Sequence, residues 1–106
     1  MTIDNNRLLL ELEQTRRQIN RATLNPEIKK LSLKDIEPII TMVAAARADY
    51  VGELFALAAK HKGKAPDDIS RLVELHEKFK ELVDAANALE VMVRRGYVDV
   101  EGKLKP

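Results

Sequence analysis

Apolar residues recur along most of this chain at alternating steps of three and four, the spacing of helices with one buried stripe. From about Asp4 to Leu24 the stripe is Leu8, Leu12, Thr15, Ile19 and Ala22, with Asp4 or Asn5 placed to cap its start. Asn25-Pro26 ends this segment, because the residue before a proline avoids the α region. A connector, Glu27 to Lys34, leads to a second helix over 36–62. Asp35 is its predicted N-cap, which sets Pro38 at the third helical position, where the missing N–H has no intrahelical acceptor to lose. A start at Ser32 would set the proline deeper and cost a hydrogen bond. Gly63 is the predicted left-handed stop. A third helix over 66–95 opens on Pro66, with Asp67 and Asp68 at its positive end, and stops at Gly96. Leu72, Leu75, Phe79, Leu82, Ala86, Leu89 and Val93 keep heptad spacing, the strongest periodic signal in the chain.

The linker Lys64-Ala65 allows only an antiparallel hairpin between the second and third helices, with arms on the order of 40 Å long. The tail, 97–106, alternates Val98, Val100 and Leu104 around Glu101-Gly102 and suits a small β-hairpin or an extended arm. The expected fold is therefore all-α: an antiparallel bundle of three helices, two long arms plus an N-terminal helix, forming one domain over 1–106. Val93-Arg94-Arg95-Gly96-Tyr97-Val98-Asp99-Val100-Glu101-Gly102-Lys103-Leu104 resembles the helix-to-wing passage of winged-helix DNA-binding domains. That resemblance covers only this stretch, and 69–95 has no internal turn to separate a recognition helix. It is read here as a helix–glycine–hairpin junction.

Composition narrows the chemistry. The 106 residues carry 18 Lys+Arg against 17 Asp+Glu, a formal charge of +1, which excludes a polyanion binder working by bulk charge alone. The balance hides an asymmetry: residues 1–31 carry +2 and residues 65–106 carry −2. Cys 0 excludes a disulfide framework, a thiolate metal site and a cysteine nucleophile. No apolar run reaches the roughly 20 residues a membrane helix needs, so a cytoplasmic protein without a membrane partner is expected.

The second helix is the informative one. Ile36, Ile39, Ile40, Val43, Tyr50, Val51, Leu54 and Leu57 project as a broad core face. The opposite side carries Ala45, Ala48, Gly52, Ala56 and Ala59, with Phe55 at its edge. Exposed alanine is common because it favours helix, but a mid-helix glycine costs about 1 kcal/mol unless close packing needs it. Those six residues are the predicted oligomer interface, and a homodimer completing a helical bundle is the simplest closure. Arg47 falls near the centre of the projected core face, where an ion pair with Glu11 or Glu13 is expected. The end of the third helix, from Ala85 to Val93, is apolar on most sides and also needs cover.

Neither histidine sits in a ligand motif. His61 faces Asp67 and Asp68 across the turn, while Val73 stands where a Glu-x-x-His site at His76 would need its carboxylate. Glu74–Lys78, Lys80–Asp84 and Glu90–Arg94 read as surface i, i+4 pairs. Arg16, Arg17 and Arg21 with Lys29 and Lys30 form the one local basic concentration, a candidate polyanion contact that the Arg94-Arg95 end would extend. There is no phosphate loop, nucleophile elbow or His-Glu-x-x-His motif, so no catalytic, cofactor or metal residues are predicted. The favoured reading is a non-enzymatic helical protein acting through self-association and protein–protein interaction. The alternatives are a nucleic-acid-binding accessory protein using the basic first helix, and a small ligand-binding protein or enzyme with a pocket near Arg47.

Overall fold

A computed structural model of the chain describes residues 2–28 and 30–101. It is all-α, with helices α1 (Thr2–Leu24), α2 (Leu33–Lys60) and α3 (Ser70–Arg94). No helix among the described residues is long and apolar enough to cross a membrane. The chain divides into two compact units. One is Ile36–Ala88; the other combines Met1–Asp35 with Leu89–Pro106.

In the first of these units, α2 and α3 pack together as an antiparallel hairpin. The α3 side of the seam is the heptad read from sequence: Leu75 is buried, Leu72, Phe79, Leu82 and Ala86 half-buried. The α2 side is narrower than its apolar pattern. Ile36, Ile39, Val43, Ala46, Tyr50, Glu53 and Leu57 turn inward, of which Ala46 is buried. Ile40, Val51 and Leu54, expected in the core, are exposed. A single partner helix covers only about two positions in seven, and the remaining apolar residues of α2 fall outside that strip. Tyr50 fixes the register, with its ring 5.2 Å from His76 and stacked 5.8 Å from Phe79.

The helix starts differ from the sequence expectation for a shared reason. Helix α2 begins at Leu33, not at 36, because Ser32 rather than Asp35 is the cap. The Asp35 carboxylate accepts from the Ser32 backbone N–H at 3.0 Å, and the Ser32 Oγ accepts from the Asp35 N–H at 3.4 Å. This reciprocal box satisfies two donors and carries the helix through Pro38, which lies inside it. Helix α3 begins at Ser70, four residues after Pro66. Asp68 accepts from both the backbone N–H and the hydroxyl of Ser70, at 2.9 and 2.6 Å, and those two bonds hold its carboxyl below the usual carboxylate range.

Helix α2 ends at Lys60, two residues short of the expected Lys62, and the left-handed turn begins one residue before the expected glycine. Lys62 takes the left-handed conformation at φ 52°, followed by Gly63 at φ 83°, and the Gly63 N–H donates to the Ala58 carbonyl at 3.1 Å. A lysine there carries a steric cost of about 1–2 kcal/mol. Lys62→Gly is therefore expected to stabilise the hairpin by roughly 0.5–1 kcal/mol, less the added backbone entropy of the unfolded chain. Thermal denaturation of the two proteins checks this.

Candidate functional site

The second unit is built from the two ends of the chain. Gly96, at φ 71°, terminates α3 in a Schellman turn, with its own N–H on the Val93 carbonyl and the Tyr97 N–H on the Met92 carbonyl at 2.9 Å. The reversal drives Tyr97 and Val98 inward, where both are buried. The chain then runs extended alongside the α1–α2 connector. Leu31 donates to the Asp99 carbonyl at 2.9 Å and accepts from the Glu101 N–H, forming an isolated parallel bridge between Leu31 and Val100. Through Glu101 the tail is thus an extended arm paired with the connector rather than with itself. Gly102 to Pro106, where a hairpin would return, lie outside the described residues.

Arg21 locks this arm. Its guanidinium donates to the Gly96 carbonyl at 2.7 Å and to the Asp99 carboxylate at 2.6 Å. Asn25 completes the clasp, donating to the second Asp99 oxygen at 3.3 Å and accepting from the Asp99 N–H at 3.1 Å. The bond from Arg21, then that from Asn25, holds the Asp99 carboxyl below its ordinary range. A carboxylate depressed in the folded state favours folding at neutral pH, and that contribution fades as pH falls through and below about 4. The Tyr97 ring resonances in proton NMR are expected to shift over that acid window and to lose the response in Asp99→Asn. Arg21, grouped from sequence with the possible polyanion contacts, thus spends its guanidinium on holding this arm.

Its neighbours behave otherwise. Arg16 and Arg17 from α1, Arg94 and Arg95 from the end of α3, Glu13 and Tyr97 line a concavity of about 240 Å³. Arg94 also pairs with Glu90 at 2.7 Å, in the i, i+4 pattern expected from sequence. The Arg95 pKa is raised, first by its side-chain hydrogen bond with Tyr97, with a smaller contribution from the charge on Glu13. Lys30 is exposed and is not among these lining residues, and Lys29 lies outside the described residues. The sequence placed both arginine pairs in basic surroundings; their convergence depends on the Gly96 turn and the Arg21 clasp.

Within the hairpin unit, Arg47 is exposed and lies over the Phe79 ring, 5.1 Å from its centroid. It makes no ion pair with a described residue of its own unit. The cation–π contact explains how a charged residue adjoins the seam without entering it. Lys80–Asp84 pairs as expected, whereas Glu74 takes Arg71 at 2.5 Å instead of Lys78. At the turn, His61, Asp67 and Asp68 share a concavity of about 370 Å³ with Glu53, Lys60 and Arg71. Its charges are mixed, and no group of three or more potential metal ligands occurs among the described residues.

The six predicted interface residues, Ala45, Ala48, Gly52, Phe55, Ala56 and Ala59, are all exposed. Five of them, Ala45, Ala48, Gly52, Phe55 and Ala59, repeat at steps of three and four. They form a second heptad seam on α2, on the side away from the α3 seam. Phe55, one step from its centre at Gly52, is 70% exposed. A Cβ built on Gly52 meets nothing within 4 Å. No known protein family, curated protein or solved structure matches this chain.

Proposed function

We propose that this protein is a non-enzymatic helical module that works as a homodimer, joined through the outer seam of α2. The observation that carries the reading is Gly52. A glycine inside a helix costs about 1 kcal/mol against alanine, and among the described residues nothing beyond its own helix backbone comes within 4 Å of where its side chain would stand. An approach from outside the chain supplies the reason.

The seam is also self-complementary, as a two-fold contact requires. In an antiparallel crossing centred on Gly52, Phe55 stands three residues to one side and Ala48 four to the other. Phe55 then fills the hollow over the partner's Ala48, and the reverse contact is equivalent. Burying a phenylalanine in this way contributes about 1.5–3 kcal/mol per chain. The seam from Ala45 to Ala59 spans roughly 21 Å of helix, with only small side chains flanking the two rings. A second copy is favoured over a different partner because the large and small residues match about a point on the seam itself.

Light scattering on the full chain at micromolar concentration tests the reading. A mass of about 24 kDa is expected, twice the 12.0 kDa of one chain. A mass of one chain throughout the concentration series would remove the proposal.

A further inference from the structure

We infer that the concavity between the middle of α1 and the end of α3 binds a compact diphosphate-bearing ligand through Arg16, Arg17, Arg94 and Arg95. Four guanidiniums and a single carboxylate, Glu13, line this hollow, so its walls carry +3. Like charges brought together without a structural partner repel, and the unit already has the salt bridge it uses to close, Arg21 to Asp99. Among the described residues Arg16 and Arg17 make no side-chain ion pair, and Arg94 spends one terminal nitrogen on Glu90. A guanidinium has five N–H donors, so most of the donors on this wall remain free for a ligand.

Arginine forks match the oxygens of phosphate groups in paired bonds, and several forks from different elements suit a ligand with oxygens on several sides. Two linked phosphates carry roughly three negative charges at neutral pH, which balances the walls. The concavity of about 240 Å³ has room for such a group. Compactness also separates this ligand from a nucleic-acid strand. The whole chain carries only +1, and Lys30 lies off the wall, so the described residues form no extended basic track to follow a backbone. Tyr97, itself buried, lines the site beside Arg95 and gives the wall a fixed backing.

Calorimetric titration of the full chain with pyrophosphate tests the inference. Binding is expected, with Arg17→Ala and Arg95→Ala each weakening it about ten-fold or more, the range for hydrogen bonds to charged groups. Arg7→Ala, elsewhere on α1, is expected to leave it unchanged. Glu13→Gln removes the one carboxylate on the wall and is expected to tighten binding several-fold, a gain that unfolding would not mimic. Three results would overturn the inference. They are no heat with millimolar pyrophosphate, binding indifferent to both arginine variants, or tighter binding of a single-stranded oligonucleotide with the steep salt dependence of a backbone contact.

Discussion

Substituting Gly52 by glutamate is expected to convert the proposed dimer to single chains of 12.0 kDa. Gly52 lies at the crossing point of the proposed antiparallel pair, so the substitution places two carboxylates together at the two-fold axis. Like charges held in a desolvated contact cost several kcal/mol, enough to shift a micromolar dimer wholly to monomer. The same change improves the isolated helix, because glutamate is a better helix former than glycine by roughly 0.5–1 kcal/mol. Helix content by circular dichroism is therefore expected to hold or rise while the mass by light scattering halves. Ala48→Glu, beside the pocket for Phe55, is expected to act in the same direction. Retention of the dimer mass in both variants would place the interface elsewhere.

The second large effect is expected at Leu75. Its side chain is 5% exposed and sits in the α2–α3 seam, with Tyr50 packing against the next turn through His76 and Phe79. Only Ala46 accompanies it as a buried residue in this unit. Truncation to alanine removes most of the layer that the two helices share, and leucine-to-alanine changes at buried sites cost about 2–5 kcal/mol. Val73, two residues earlier and 44% exposed, is the matched comparison. Val73→Ala is expected to change stability by less than about 0.5 kcal/mol. Urea denaturation of the two variants under one protein concentration measures the difference, and equal midpoints would contradict the seam assignment.

Much of this architecture was legible in the residues. The heptad of α3 and the hairpin turn at Gly63 follow directly from spacing and from backbone preference. Helix starts were less legible, because Ser32 and Asp35 form a box in which each caps the other, and a proline rule applied alone moves the start to Asp35. The face of α2 was misread for a different reason. Ile40, Val51 and Leu54 are apolar, but apolar character alone does not say which partner covers a residue, and α3 reaches only one strip. The basic residues of α1 were visible as a group. Their division into a clasp residue, Arg21, and wall residues, Arg16 and Arg17, depends on where Gly96 turns the far end of the chain.

That turn also orders events in time. The bonds from Arg21 to Gly96 and Asp99 join residues 75 and 78 positions apart. Closing a loop of that length costs about 4 kcal/mol of chain entropy if the intervening residues are disordered. The α2–α3 hairpin lies inside the loop and forms from nearer contacts, so its folding shortens the distance that the ends must search. During synthesis at about 5–20 residues per second, Arg21 waits roughly 4–15 s for its acceptors to be made. Of the three helices α1 is thus made first and secured last, and the clasp fixes it without covering Leu8, Leu9, Leu10 and Leu12, which stay exposed in the folded chain.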